Sequence, residues 1–141
     1  MNFLISLETS ASGRYVQRKR MDVIAGNLAN LETTRTENGG PYRRKMVVMR
    51  TKQPDQDFNN IFSLQIEGVQ IEDIVEDKSP FKKVYNPSHP DADNQGYLRK
   101  PNVDLIVETT NMLMARRAFE ANLAVAKQIK EMVLKALEIG R

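Results

Sequence analysis

Residues 104–138, DLIVETTNMLMARRAFEANLAVAKQIKEMVLKALE, decide the fold of this chain. The stretch contains no Pro and no Gly and is rich in Ala, Leu, Met, Glu, Lys and Arg, which form helices most readily. It predicts a single helix, and at about 1.5 Å per residue that helix would be about 50 Å long. A compact domain of this chain's length has a radius of gyration of only about 14 Å. We therefore expect the helix to project beyond any core that the chain builds.

Two apolar rows run along this predicted helix. The first, here called the seam row, has the heptad spacing of a helix packed against a partner helix. It comprises Met112, Ala115, Phe119, Asn122, Ala126, Ile129, Val133 and Ala136. The second row repeats the spacing on a neighbouring face and comprises Met114, Ala118, Ala121, Val125, Gln128 and Met132, with Leu123, Leu134 and Leu137 widening the apolar arc.

A helix with two apolar rows needs more than one partner. The chain offers only one other long helical stretch, so we expect further partners to come from other chains. The alternative is a central helix buried in a monomeric bundle, for which the chain contains too few other helices.

The second helix is predicted from residue 3 to about residue 30. Its apolar residues recur at helical spacing and are Met21, Ile24, Leu28 and Leu31. Because this row is narrow and interrupted, the helix should need the C-terminal one for stability. The predicted helix ends in Asn27-Leu28-Ala29-Asn30, and one interpretation of Asn30 is a terminal residue in the left-handed conformation.

Between the helices, residues 31–102 indicate a small β-rich insertion. Strands are predicted at residues 42–50, 61–65, 68–76 and 82–85, separated by polar loops, and four prolines keep the rest of residues 79–103 from forming helix. The predicted fold class is therefore α+β. Long N- and C-terminal helices form a coiled-coil-like pair (residues 1–30 and 103–141, a discontinuous helical assembly domain), and a small β-rich domain (residues 31–102) is inserted between them.

Composition excludes several classes of function. The 141-residue chain has no Cys and one His, which rules out thiol nucleophiles, thiolate metal sites and disulfides. No nucleophile–base pair is evident, so we expect no enzyme activity, no cofactor and no small-molecule substrate. No run approaches the roughly 18 apolar residues of a membrane span. The apolar patch at residues 3–7 is short and follows no basic segment, so no cleaved signal peptide is predicted.

Three local patterns suggest binding sites and are weak. Arg18-Lys19-Arg20, with a net charge of +3 for the chain, leaves a small nucleic-acid-binding protein as the alternative function, although a basic run on a helix is usually a solvated face. Residues 91–96 resemble the start of an EF-hand loop, but the position of the bidentate Glu is Asn102, so an Asx-type turn is favoured. His89 lies beside acidic residues and is interpreted as a turn residue.

Several motifs in this order resemble the flagellar rod and hook proteins. They are Asn27-Leu28-Ala29-Asn30, residues 39–45 (GGPYRRK), residues 84–93 (VYNPSHPDAD), Gly96-Tyr97, residues 101–104 (PNVD), residues 117–123 (RAFEANL) and residues 136–140 (ALEIG). The resemblance covers nearly the whole chain. It implies a structural subunit of the proximal rod, the driveshaft of the basal body, which assembles through its terminal helices, transmits torque and serves flagellum-dependent motility.

The resemblance also implies partners and a location. The partners are further copies of the chain, other rod proteins and the flagellar type III export apparatus, with no nucleic acid. The location is the rod in the periplasm, reached without a cleaved signal peptide. The residues predicted to form the assembly interface are Met21, Ile24, Asn27, Leu28, Asn30, Met112, Phe119, Asn122, Ile129 and Val133.

Overall fold

The computed structural model describes residues 3–37, 39–52 and 68–140. In chain order its elements are α1 (Phe3–Ala29), β1 (Lys45–Thr51), β2 (Val69–Glu76), β3 (Lys82–Tyr85), β4 (Tyr97–Lys100) and α2 (Leu105–Ile139). This is the predicted α+β arrangement of two long helices with a small region of antiparallel strands between them. Among the described residues, no helix combines the length and the apolar character needed to cross a membrane.

The two helices form an antiparallel pair along the length of α1. Near the end of α1, Asn27 hydrogen-bonds Glu108 in the first turn of α2. Further back along α1, a Cβ at Gly13 would lie 3.0 Å from the side-chain nitrogen of Asn122. The helices approach so closely at this point that any side chain larger than that of glycine would require Asn122 to shift. With 35 residues against 27, α2 extends beyond the described start of α1.

Hydrogen bonds between side chains and the backbone are found near the start of each helix. The carboxylate of Asp104 accepts hydrogen bonds from the backbone N–H groups of Ile106 (3.0 Å) and Val107 (3.3 Å), which is the N-cap arrangement. The start of α1 is rich in hydroxyl residues, which are weak helix formers. They are accommodated because the side chains of Thr9 and Ser10 donate to the carbonyls four residues earlier, each at 2.9 Å.

The strands form two separate two-stranded antiparallel sheets, β1–β2 and β3–β4. The first sheet packs against α1, and the Ser12 hydroxyl accepts a hydrogen bond of 3.2 Å from the backbone N–H of Val69. Its register shifts where Val48 pairs with Asp73 and Met49 pairs with Ile71, so Glu72 is an extra residue in β2. In the loop before β4, Gly96 has φ +79° and closely approaches the Tyr85 ring.

Most of the predicted elements are confirmed, and three differences stand out. Strand β4 was not predicted, because it is short and lies in a Pro-rich segment. β1 begins at Lys45 and not at residue 42, since the preceding residues form contacts with both helices. The left-handed interpretation of Asn30 is wrong, because no non-glycine residue in the described ranges has positive φ. The strand predicted at residues 61–65 lies outside the described residues.

Candidate functional site

Asn27 is the centre of a buried polar network, here called the junction. Its side chain is fully buried, and each of its two polar atoms makes two hydrogen bonds. The amide nitrogen donates to the Lys45 carbonyl and to a Glu108 carboxylate oxygen, both at 2.9 Å. The amide oxygen accepts from the backbone N–H of Lys45 at 2.9 Å and from the Tyr42 hydroxyl at 3.0 Å. Lys45, the first residue of β1, is therefore bound to α1 by the Asn27 side chain, which accepts from its N–H and donates to its carbonyl as a neighbouring strand would.

Arg44 extends the junction from α2 to the end of β2. Its Nε donates to one carboxylate oxygen of Glu108 at 2.8 Å, Nη2 lies 2.8 Å from the same oxygen, and Nη1 lies 3.3 Å from the Asp77 carboxylate. The Glu108 side chain is 1% exposed and that of Arg44 is 20% exposed, so the pair is largely withdrawn from water. The buried carboxylate has its charge partner and a hydrogen bond to each oxygen, as a buried ion pair requires.

Asn102 completes the junction from the segment before α2. Its side-chain oxygen accepts from the backbone N–H of Arg44 at 2.8 Å, and its side-chain nitrogen donates to the Asp77 carbonyl at 3.0 Å. Arg43 donates to that same carbonyl at 3.0 Å and lies over the Phe81 ring, 4.4 Å from its centroid. The junction thus ties both helices, both strands of the first sheet and the segment that leads to β3.

The pKa values of the junction residues reflect these contacts. Burial raises the pKa of the Tyr42 hydroxyl, and the charges of Glu76 and Glu108 raise it further. Burial alone would lower the pKa of Arg44, but its hydrogen bond to Glu108 and the charges of that residue and Asp77 raise it. The two hydrogen bonds from Ser79, followed by Arg44, lower the pKa of Asp77. In all three groups the pKa moves away from neutrality, in the direction that favours the protonation state found in the network.

The two apolar rows of α2 are buried to different degrees. In the seam row, Ala115 and Ile129 are 0% and 6% exposed, and all other members except Ala136 are half-buried. In the second row, by contrast, Met114 is 59% exposed, and Val125 and Met132 are each 46% exposed. Leu134 and Leu137 are 50% and 66% exposed. The seam row from Met112 to Val133 is therefore covered by α1 within the chain, whereas most of the second row faces outward.

The ten residues predicted to form the assembly interface are all at least half-buried within the single chain. Ile24, Asn27 and Ile129 are buried, and the other seven are half-buried. Asn30 makes short-range contacts, donating to the Gly26 carbonyl at 2.9 Å and accepting from the Thr33 hydroxyl at 3.1 Å. The structure brings nine of the ten onto the two helices near their contact. Their contact with other subunits stays a prediction.

Sequence reasoning missed Glu108 and Arg44. Glu108 lies four residues before Met112 and continues the heptad spacing of the seam row. It was not predicted to be buried because charged residues are usually exposed. The only signal in the sequence is that a single charged residue occupies a position of the heptad row; the basic segment that pairs with it, residues 43–45, is distant in the sequence. A buried charge at such a position needs a partner, and the basic segment supplies one.

The weak binding patterns in the loop before β4 are explained by turn geometry. The Asp93 carboxylate accepts from the backbone N–H groups of Gln95 (3.0 Å) and Tyr97 (2.8 Å), which confirms the Asx-type turn. The Asp91 carboxylate accepts from the Thr34 hydroxyl, and His89 Nδ1 accepts from the Asp91 N–H. Within the part of the chain that the structure describes, no group of three or more His, Asp or Glu side chains could hold a metal ion.

Comparison with known proteins identifies the family. Residues 94–139 match the family model for the C-terminal region of flagellar basal body rod FlgEFG proteins. Flagellar basal-body rod protein FlgC of Bacillus subtilis is 44% identical, aligned over 96% of this chain and 97% of the relative. The Borreliella burgdorferi FlgC is 39% identical (99% and 98%), and that of Escherichia coli O6:H1 is 36% identical over the whole of both chains. The comparisons give no support to nucleic-acid binding. The chain belongs to the FlgC family and is a structural subunit of the flagellar basal-body rod.

Proposed function

We propose that the protein joins the rod through the second row of α2, while the seam row and the junction hold its own two helices and sheet together. The observation that carries this proposal is the difference in burial between two apolar rows of one helix. Val125 and Met132 are each 46% exposed although they lie within a turn of buried Ile129. A long apolar row left in water is typical of a surface that another protein covers.

The contact chemistry of the second row fits helix packing between subunits. Apart from Gln128, its residues are Met, Val and Ala, which let a neighbouring helix approach closely and adapt to its shape. The outer face of α2 is different, because it carries the exposed ion pairs Arg116–Glu120 and Lys127–Glu131. That charged face would remain in contact with water while the second row is covered.

The finer features implied by the resemblance belong to the same proposal. The chain is a proximal-rod subunit that assembles with copies of itself and other rod proteins, lies in the periplasm, and is exported by the flagellar type III apparatus without a cleaved signal peptide. Residues 1–30 and 103–141 act as the assembly domain and residues 31–102 as an inserted domain. The junction supports rigid transmission of torque, because it fixes the first sheet to both helices through buried hydrogen bonds.

Adjacent residues of α2 offer a matched test. Val125 belongs to the second row, whereas Ala124 is exposed on the charged face. In a strain that lacks its own copy of the protein, Val125→Asp should abolish rod formation and swimming, and Ala124→Asp should preserve both. Both purified variants should keep the helix content of the parent chain, measured by circular dichroism, because neither position is buried. Normal swimming with Val125→Asp would contradict the proposal.

A further inference from the structure

The second sheet places like charges directly opposite each other. In the register of β3 and β4, Lys82 faces Lys100 and Lys83 faces Arg99. Like charges at directly opposed positions destabilise an antiparallel pair. A hairpin with two such pairs therefore needs either carboxylates within the chain or an acidic partner outside it.

Among the residues that the structure describes, carboxylates neutralise only the first of these pairs. Lys82 Nζ lies 3.2 Å from the Asp104 carboxylate and donates to the Val103 carbonyl at 2.9 Å, and Lys100 forms an ion pair with Glu32. No carboxylate of residues 3–37, 39–52 and 68–140 lies within 4.0 Å of the charged atoms of Lys83 or Arg99. The described carboxylates therefore leave the repulsion of the second pair uncompensated.

Two exposed aromatic rings adjoin the uncompensated pair. Tyr85 and Tyr97 face each other across the strands, on the same side as Lys83 and Arg99, because side chains alternate along each strand. The two rings are 65% and 44% exposed and lie edge to face with centroids 5.4 Å apart. We call these four residues the basic hairpin face. Exposed tyrosines beside unpaired cations have the composition of a protein-binding surface.

The opposite chemistry is present on β2 of the same chain. Glu72, Asp73, Ile74 and Glu76 are exposed along this strand, and Ile74 is 45% exposed. Because side chains alternate, Asp73 lies on the opposite side of the sheet from Ile74 and Glu76, so carboxylates lie on both sides of the edge of β2 that does not pair with β1. Glu72 has a solvent-exposed partner, Arg50, at 3.6 Å, and Asp73 accepts from the backbone N–H of Ile74. We call this stretch, residues 72–76, the acidic strip. It pairs carboxylates with an exposed apolar side chain, as the basic hairpin face pairs cations with exposed rings.

We propose that the basic hairpin face of one copy docks on the acidic strip of a second copy of this chain. The inference rests on the proposed function, since it assigns one contact between assembled subunits, but it concerns the inserted region and not α2. Two different patches meet in such a contact, so each copy can engage one neighbour with its hairpin and another with its strand. Charge complementarity across the contact would fix register and orientation.

Charge reversal tests the contact without changing the repulsion inside the hairpin. The double variant Lys83→Glu with Arg99→Glu replaces two facing cations by two facing anions, so the fold stability of the purified chain should match that of the parent. In a strain that lacks its own copy of the protein, the number of assembled rods should decrease about tenfold or more, because anions would face the acidic strip. Adding Glu72→Lys and Asp73→Lys to the same chain should restore assembly. Lys78→Glu, an exposed reversal outside both surfaces, should have no effect.

Crosslinking tests proximity directly, since the chain has no natural cysteine. Chains carrying Lys83→Cys and chains carrying Asp73→Cys, produced together, should form disulfide-linked dimers in isolated basal bodies. Chains carrying Lys78→Cys should not crosslink to Asp73→Cys chains.

Normal assembly after reversal of Lys83 and Arg99 would overturn the proposal. The proposal would also be overturned if Glu72→Lys with Asp73→Lys failed to restore assembly and no crosslink formed. The hairpin would then bind a different acidic partner. Failure of the α2 proposal would show separately, as normal swimming with Val125→Asp.

Discussion

The two ends of the helix pair differ in how they are held. At one end is the junction, where the polar atoms of Asn27, Glu108 and Arg44 are bound to partners in the same chain. At the other, here called the distal end, are residues 3–9 of α1 and 130–139 of α2. Its large apolar side chains are mostly exposed: Leu4 (78%), Leu7 (42%), Met132 (46%), Leu134 (50%), Leu137 (66%) and Ile139 (86%).

This difference indicates that the junction end stabilises the fold of the chain, whereas the distal end is available for contacts with other subunits. Buried polar groups that are fully paired hold one arrangement of elements, because any other arrangement would leave them unpaired. Apolar side chains in water do not specify an arrangement, and covering each one would contribute about 1.5–3 kcal/mol. We infer that the chain determines its own structure at the junction and that neighbouring subunits complete it at the distal end.

The largest effect is expected at Asn27. Asn27→Ala would leave the Lys45 N–H and carbonyl, the Tyr42 hydroxyl and one Glu108 oxygen without their partner, and should lower the free energy of unfolding by about 4 kcal/mol. Asn30→Ala is the matched control, because Asn30 belongs to the same motif but makes only short-range bonds, and it should cost about 1 kcal/mol. Urea unfolding of the purified chains measures both. Equal costs would show that the junction does not carry the fold.

Glu108→Gln should have the next largest effect. The amide nitrogen would face either Arg44 or the Asn27 amide, both of which are donors, and Arg44 would lose its buried charge partner. We expect a loss of about 3 kcal/mol. Glu120→Gln removes an exposed partner of Arg116 and should cause no measurable change. A small cost for Glu108→Gln in urea unfolding would mean that the ion pair adds little to the hydrogen bonds.

Val133→Asp probes the distal end and should have a smaller effect on the isolated chain. Val133 is a half-buried member of the seam row close to the end of α2, so the charge should cost about 2 kcal/mol and loosen only the last turns. Leu134→Asp, at an exposed neighbouring position, should leave the stability of the isolated chain unchanged. In cells, Val133→Asp should still block rod formation. A loss of stability as large as that of Asn27→Ala would contradict the difference between the two ends.

The smallest of these effects on stability is expected from acid, which should act at the junction end. The backbone N–H of Val107 and then Lys82 lower the pKa of the N-cap Asp104, and Ser79 lowers that of Asp77. Because each folded-state pKa lies below the unfolded value of about 3.9, the stabilisation is complete above that value and is lost as pH falls through the folded pKa. Asp104→Asn keeps an acceptor at the N-cap but cannot titrate. It should make unfolding free energy depend less on pH below about pH 4, and an unchanged slope would exclude Asp104 from the effect.

The sequence predicted the helices well because their signals are long and local. The absence of Pro and Gly across residues 104–138 and the heptad spacing depend on no distant residue, and the structure places α2 at Leu105–Ile139. The separation of the two apolar rows also followed from spacing alone. What spacing could not decide is which partner each row meets, since α1 and a neighbouring chain offer the same kind of surface.

The junction could not be predicted because it depends on contacts distant in sequence. Asn27 and Glu108 are separated by 81 positions, and Arg44 and Glu108 by 64. A charged residue in the first turn of a helix is usually exposed, so Glu108 gave no local sign of burial. Asn27 was selected from a resemblance as an assembly residue, whereas the structure shows what it does within the chain. Strand β4 was missed for a related reason, because only its pairing with β3 distinguishes it from a loop.

Hydrogen exchange tests the central claim most directly. In the dilute monomer, the backbone amides of residues 20–27 and 108–115, next to the junction, should be strongly protected, whereas those of residues 5–9 and 130–139 should exchange quickly. In isolated rods both groups should be protected, because neighbouring subunits then cover the distal end. Equal protection of the two groups in a proven monomer would contradict the account, and so would distal amides that remain unprotected in the rod.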